Sequence, residues 1–520
     1  MRGAIAAGHP ITAEVGARVL ADGGNAVDAC IAAAFASWVT ESPLTGPGGG
    51  GFMAVHLGRD RSTRVLDFFV TVPGAGGSDP EPRHPEEMDA VDVEFTPESS
   101  QQFRIGVASC AVPGVVAGLE AAHRAYATRP WADLIAPGAE LARKGVVLTA
   151  SQSYLHAILD LVLRHTPEGR DMYGHDERLS VGDRFAAPDL AGTMDLLAER
   201  GAAEFYRGDL ADAIVSHLGG QITPADLAEY RVVRRRPVQA AFLRHELDSN
   251  PPPSTGGILI AYGLRLLDEV GVGGPAGSAG AIERLVQVMR EQARARGGRF
   301  FRDLYHGGLA KRLLADDAVT EAARRIALPG SHEPEPAGAW GTTHISVVDA
   351  DDNAASLTAT TGSGSGVIVP GTGVQLNNML GEFDLAAMGG HPRPGVRMTS
   401  MMAPTIVLQD GRARLVVGSA GSLRLRGAIL QIVVNAVAHG LPVQEAIDGP
   451  RVHVEDGEVH CEGGFDPAEL DALEARGYGL VRWRRRNLYF GGASAVEVAP
   501  DGTLAAAGDP RRGGAGLVVG

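Results

Sequence analysis

Cysteine, lysine and long apolar runs are all scarce in this chain of 520 residues. The three cysteines, Cys30, Cys110 and Cys461, are odd in number and far apart. That spacing excludes a disulfide framework and a zinc cluster, and it predicts three free thiols. Lysine occurs only as Lys144 and Lys311, against 45 arginines, a coding preference without mechanism. No apolar stretch reaches the roughly eighteen residues that a bilayer-spanning helix needs; the Ala-rich run Ala26–Val39 is shorter and carries Asp28. Basic residues are also too few for a polyanion partner. Forty-seven stand against 62 acidic ones, a net charge of −15, so neither nucleic acid nor an anionic membrane is expected to bind. The segment Met1–Pro10 has one positive charge and breaks at Gly8-His9-Pro10, unlike a secretory signal. The expected compartment is the cytoplasm.

Two further absences narrow the chemistry. There is no G-x-x-x-x-G-K-[ST] loop, and the 16 histidines form no H-E-x-x-H and no compact ligand cluster. Neither a metal nor another cofactor is expected. Gly46-Pro47-Gly48-Gly49-Gly50-Gly51 matches G-x-G-x-x-G, but a helical pattern precedes it and a strand-like run, Phe52–Leu57, follows. A dinucleotide fingerprint requires the opposite order, so this is read as a packed glycine turn.

What is present is a soluble globular composition, 44% hydrophobic and 21% charged, in a chain long enough for two to four layers. Seventy glycines and 31 prolines imply many tight turns. Helical spacing predicts Ala13–Ala21, a second helix from the cap Asn25 to about Trp38, then Val115–Tyr126, Asp133–Lys144, Gln152–Arg164, Leu190–Arg200, Ile258–Val270 and Ala281–Arg296. Thr223-Pro224 reads as one more helix start. Strands are predicted at Phe52–Leu57 and Thr63–Val70, with a loop at Pro73–Asp92. After a linker-like stretch, Pro329–Gly341, β-branched alternation predicts Thr343–Val348, Ala354–Thr360, Ile406–Leu408 and Arg414–Val417, with helices at about Arg424–His439 and Pro467–Arg476. A mostly helical first part thus feeds a β-rich second part. The expected class is α+β, two antiparallel sheets covered by helices.

The informative junction is Gly341-Thr342-Thr343-His344. A threonine here opens the first strand after a linker. Were the Gly341–Thr342 bond broken, Thr342 would carry a hydroxyl and a free amine together. An α-amine near pKa 7.7–8.0 suits deprotonation of that hydroxyl at neutral pH, unlike a lysine amine near 10.4. One residue then supplies what other hydrolases draw from a Ser–His pair. Two glycine-rich turns, Gly362–Gly366 and Gly418–Ser422, offer backbone N–H groups for an oxyanion.

These features resemble the γ-glutamyltransferase (γ-glutamyltranspeptidase) family almost end to end. The matching segments are Gly23–Ala29, Gly46–Phe52, Val112-Pro113-Gly114 with Gly118, Leu227–Tyr230 with Pro237, and Pro251–Gly257. The most specific are Thr342–Asp349, Leu376-Asn377-Asn378, Ser400–Ile406 and Gly508-Asp509-Pro510-Arg511. The resemblance implies an αββα sandwich of the N-terminal-nucleophile (Ntn) hydrolase type, made as a precursor that cuts itself before a threonine. It implies a large subunit, 1–341, and a small subunit, 342–520, together forming one domain. It implies Thr342 as nucleophile, Thr360 as its hydrogen-bonding threonine, and the N–H groups of Gly421 and Ser422 as the oxyanion pair. The partners it implies are a small-molecule acyl substrate and a water or amine acceptor.

Departures from the family pattern fall on the substrate pocket. An arginine that clamps a glutamyl carboxylate follows the strand carrying Leu66-Asp67-Phe68 in the family; this chain has Phe69. Other pocket positions read Gly362, Met379, Glu382, Ser400 and Met401, of which only Glu382 and Ser400 keep polar function. A phenyl ring cannot replace a bidentate guanidinium. The expected substrate is therefore an acyl compound other than glutathione, in an intracellular or natural-product biosynthetic role, cut at an amide or at a carbon–carbon bond next to a carbonyl. The alternatives are a genuine γ-glutamyltransferase that draws its arginine from elsewhere, and an unprocessed, non-catalytic homologue.

Overall fold

The computed structural model describes residues 2–75, 85–96, 99–326, 341–382, 393–455 and 457–520. The linker reading, Gly341 excepted, and part of the Pro73–Asp92 loop lie outside them.

Two antiparallel sheets form the centre. Their strands in chain order are β1 (Gly3–Ala7), β2 (Gly50–Leu57), β3 (Ser62–Phe68), β4 (Val233–Arg235), β5 (Val238–Phe242), β6 (His245–Ser249), β7 (Thr343–Asp349), β8 (Ala354–Thr360), β9 (Thr405–Gln409), β10 (Arg412–Ala420), β11 (Gly492–Val498), β12 (Leu504–Gly508) and β13 (Ala515–Val519). One sheet runs β13-β1-β7-β8-β2-β3-β4 and the other β12-β11-β10-β9-β6-β5. Both sheets therefore mix strands from before and after the Gly341–Thr342 junction. Short strands such as β1 and β4–β6, which carry too little pattern to be read locally, join the expected β2 and β3 as the first part's share of these sheets.

Residue alternation builds the layers. On β7, Ile345 and Val347 pack with helices α1 (Pro10–Ala21), α2 (Ala26–Thr40), α3 (Val115–Tyr126) and α4 (Trp131–Lys144), while Val348 joins Ala54, Ile406, Val416 and Val496 between the sheets. A further apolar cluster packs α5 (Gly256–Val270) and α6 (Leu423–Val433) on the outer face of the second sheet. The result is helix, sheet, sheet, helix: the αββα sandwich. Every residue of β7 is buried. Each buried valine or isoleucine on it contributes about 1.5–3 kcal/mol.

Helix α2 is the strut behind β7. All fifteen of its residues are buried, which explains its alanine-rich composition: small side chains let sheet and helices approach on every side. Asn25 and Asp28 form a capping box at its start, and Asp28 also accepts from the backbone N–H groups of Thr128 and Arg129. The other end of α2 delivers Thr40 and Glu41 to the start of β7.

Several predicted boundaries shift. Gln152–Arg164 is two helices, Ala150–Ile158 and Asp160–Leu163, and the helix expected to His439 is α-helical only to Val433, with a wider turn over Val434–Ala438. Within Pro73–Asp92, Asp89 already starts a strand, Asp89–Thr96, paired with Ser99–Ile105.

Candidate active site

Thr342 stands immediately before β7 and is 5% exposed. Its hydroxyl donates to the Gly341 carbonyl oxygen at 2.7 Å. The Thr360 hydroxyl, at the end of the neighbouring β8, donates to the same oxygen and itself accepts from the Gly362 N–H at 2.7 Å. In the intact chain Thr360 therefore sits on the Gly341 carbonyl and not on the Thr342 hydroxyl. Two hydroxyls converge on the carbonyl that precedes Thr342, polarising it toward attack.

Gly341 admits no other residue. Its φ is +131°, and a Cβ there would lie 1.6 Å from the Gly362 carbonyl oxygen. Gly362 is similarly constrained, with φ +72° and a Cβ position 2.0 Å from Asn378 Oδ1 and 2.7 Å from Glu382 Oε1. Gly362 thus lacks a side chain because Asn378 and Glu382 fill its space. Asn378 is fixed by accepting from the Ser363 N–H at 3.0 Å and donating to Ser363 Oγ at 2.6 Å.

Gly421 and Ser422 follow β10 and open α6. Their φ values are +124° and +51°. For serine such a conformation costs on the order of 1–3 kcal/mol, and surrounding structure must hold it. Ala420, the residue before this turn, lines one small cavity with Thr342, Thr343, His344 and Arg512. The turn and the threonine therefore occupy the same end of the sandwich. His344 lies between the sheets, bonded to Thr358 Oγ1 at 2.8 Å and Ser346 Oγ at 2.9 Å. Burial pushes its pKa down to about 3, so it is a neutral structural group. A Cβ on Gly418 would meet its ring at 2.2 Å.

The structure gathers Phe69, Met379 and Met401 into one apolar cluster with Phe52, Val70 and Met398. Phe69 is 1% exposed and stacks on Phe52 at 5.5 Å between ring centroids. Its carbonyl accepts from Tyr230 Oη at 2.7 Å and from the Arg397 guanidinium, which also pairs with Asp67 at 3.4 Å. Ser400 and Met401 are pinned at the start of α5. The Ser400 carbonyl accepts from the Thr255 N–H at 2.7 Å, and Met401 Sδ accepts from the Thr255 hydroxyl at 3.0 Å. The Ser400 hydroxyl accepts from the Met402 N–H at 3.0 Å and so closes its own turn.

Two groups escaped the sequence reading. Arg512 donates to the Thr342 carbonyl at 2.8 Å, and Glu41 accepts from the Thr343 hydroxyl at 2.6 Å. Arg512 adjoins the Gly508–Arg511 segment, which was a signal. Glu41 is more than three hundred positions from Thr343, and nothing local marks it.

Comparisons with known proteins bear on the family and the fold. The family model described as gamma-glutamyltranspeptidase matches residues 12–519. The chain is 32% identical to the glutathione hydrolase proenzyme of Escherichia coli (strain K12), over 98% of this chain and 90% of that protein. It is 31% identical to the Acylase ACY 1 proenzyme of Pseudomonas sp. (strain SE83), over 100% of this chain and 94% of that one. The solved cephalosporin acylase from Bacillus halodurans shares the fold, with a TM-score of 0.84 at 23% identity, covering 99% of this chain and 95% of that one. A match along nearly the whole sequence, on an αββα sandwich with a threonine opening an interior strand, places this chain in the gamma-glutamyltranspeptidase family of Ntn-hydrolase enzymes.

Proposed function

We propose that the chain cuts itself at Gly341–Thr342 and then hydrolyses an acyl amide other than a γ-glutamyl compound. The observation that carries cleavage is the convergence of the Thr342 and Thr360 hydroxyls on the Gly341 carbonyl. Thr342 Oγ1 attacks the Gly341 carbonyl carbon and the C–N bond to Thr342 breaks. The departing nitrogen takes a proton, leaving an ester. Water hydrolyses that ester to a Gly341 carboxylate and a Thr342 that bears both hydroxyl and amine. The pieces are residues 1–341 and 342–520.

In turnover the amine accepts the hydroxyl proton as Oγ1 attacks a substrate carbonyl, and returns it to the leaving amine. The N–H groups at Gly421 and Ser422 are assigned to the oxyanion. A carbon–carbon bond next to a carbonyl is open to the same acyl-enzyme route when the leaving carbanion is stabilised. Phe69 supports the substrate assignment. A buried apolar ring, stacked on Phe52, stands where the family pattern has a carboxylate-clamping guanidinium, and Arg397, which touches its carbonyl, already serves Asp67, Tyr230 and backbone carbonyls. Losing a carboxylate–arginine pair costs on the order of 2–5 kcal/mol, or roughly 30- to 4,000-fold in kcat/KM. The similarity to an acylase proenzyme points the same way. The cytosol belongs to this reading, since the three buried cysteines are unpaired.

The test is a denaturing gel and intact mass of the purified protein, followed by assays on γ-glutamyl-p-nitroanilide and on apolar acyl p-nitroanilides. Two pieces of 341 and 179 residues are expected, with turnover confined to the apolar donors. A single uncut chain overturns cleavage and leaves the non-catalytic homologue. Turnover of γ-glutamyl-p-nitroanilide at about 1–1,000 per second overturns the substrate assignment in favour of a genuine γ-glutamyltransferase.

A further inference from the structure

Behind the threonine, on the side away from Gly341, two charges approach consecutive residues. Arg512 holds the Thr342 carbonyl at 2.8 Å, and Glu41 holds the Thr343 hydroxyl at 2.6 Å. Both are buried, and no direct ion pair joins them among the described residues. They face each other across two adjoining cavities of about 10 Å³ each, the room of roughly one water apiece. Glu41 Oε1 and Arg512 Nε and Nη2 have no hydrogen-bond partner among the described residues. Buried charges left half-satisfied are expensive unless they serve something. The backbone is shaped to admit them. A Cβ on Gly8 would lie 2.2 Å from Glu41 Oε2, and one on Gly492 would lie 2.2 Å from Arg512 Cδ.

We propose that Glu41 and Arg512 are a positioning pair that fixes the Thr342–Thr343 peptide and sets the charge seen by the Thr342 amine once cleavage exposes it. This rests on the cleavage proposed above. Arg512 is the nearer charge, bonded to the carbonyl of the very residue that bears the amine. Its positive charge disfavours protonation, keeping the amine a free base nearer neutrality. Glu41 acts one residue further on and opposes it. Burial pushes Glu41 up to about 7, with the Thr343 hydrogen bond and Arg512 pulling it back, while burial pushes Arg512 down to about 10, with Glu41 and Asp509 opposing. The other titratable groups around the two cavities are His9, His156, His344 and Asp509. Burial holds the three imidazoles neutral, and Asp509 is paired with Arg451 and Arg511.

The test compares wild type, Glu41→Gln, Arg512→Gln and Arg512→Lys as full chains. Trace acetylation across pH, read by mass spectrometry on the peptide starting at Thr342, reports the titration of that amine. Arg512→Gln should move it up by about one pH unit, Glu41→Gln should move it down, and Arg512→Lys should restore it. The acid limb of the rate profile should follow. A merely structural pair cannot give opposite shifts, so identical titration in all four proteins overturns the proposal. Should an Arg512 or Glu41 variant fail to fold, Thr343→Val replaces it. That variant should slow cleavage at least tenfold at an unchanged melting temperature, and wild-type cleavage by it overturns the proposal. A wild type that never cleaves refutes the underlying reading instead and is distinguished on the same gel.

Discussion

Strand β7 is strapped to helix α2 by a carboxylate at each end, and the two straps differ in kind. At the far end Asp349 caps the start of α2. Its Oδ2 accepts from the Ala26 N–H at 2.9 Å, and its Oδ1 accepts from the N–H groups of Asp351 and Asn353 at 2.9 and 3.0 Å. A negative charge at a helix N-terminus is favourable, and both oxygens are satisfied. At the near end Glu41 follows the C-terminus of the same helix, where the dipole disfavours an anion, and one of its oxygens is unpartnered. One strap is built for stability. The other leaves one buried carboxylate oxygen without a partner among the described residues, beside the Thr342–Thr343 peptide.

The largest break in this comparison is at the threonine itself. Thr342→Ala should remain one chain of 520 residues and show no turnover, since no hydroxyl remains to attack the Gly341 carbonyl; a denaturing gel and a rate assay check both. Gly341→Ala should come next. The added Cβ has only 1.6 Å to the Gly362 carbonyl, so cleavage should drop at least a hundredfold, read as the lifetime of the uncut band.

Asp349→Ala acts at the stable end. It removes the cap and several buried hydrogen bonds, so stability should fall by about 1–3 kcal/mol while cleavage still goes to completion. Denaturant unfolding with a gel alongside separates the two effects, and a cleavage defect equal to that of Thr342→Ala would erase the contrast between the ends.

Glu41 adds a pH signature. Its folded value, about 7, lies above the ordinary 4.5, so the folded state holds the proton more tightly than the unfolded chain. Its stabilising contribution is full below pH 4.5 and is lost as pH rises through 7. Glu41→Gln should therefore gain on wild type in melting temperature between pH 5 and pH 8, measured on the uncleavable Thr342→Ala background. The smallest effect belongs to Arg412, paired at 3.1 Å with Asp352 in the turn after β7 and 65% exposed. Arg412→Ala should change stability by no more than about 1 kcal/mol.

Part of each end was legible in the sequence. At the near end, glycine before threonine before a β-branched strand predicts a nucleophile whose activation needs no second residue, while nothing local marks Glu41; at the far end, Asn25 announces the cap of α2. Gly362 was misleading. It reads as a lost polar group, whereas the positive φ and the tight approach of Asn378 and Glu382 demand glycine there. Phe69 is expected from the sequence to face substrate; the fold shows it buried and stacked on Phe52, with its carbonyl held by Tyr230. Whether a side chain faces substrate or packs inward is a tertiary fact.

The sequence by itself determined the glycine–threonine junction and the β-branched alternation of the strands that follow it, because both are written in residue type and local periodicity. The nucleophile role of Thr342 and the loss of an arginine clamp at Phe69 are what the family resemblance implies. The tertiary structure alone decided that both sheets interleave strands from either side of Gly341–Thr342, that Thr360 rests on the Gly341 carbonyl, and that Glu41 and Arg512 are brought to the Thr343 hydroxyl and the Thr342 carbonyl. Several of these contacts join segments more than three hundred residues apart. No local pattern encodes them, since they arise when buried apolar faces bring distant strands and helices into register and leave the polar groups between them to find one another.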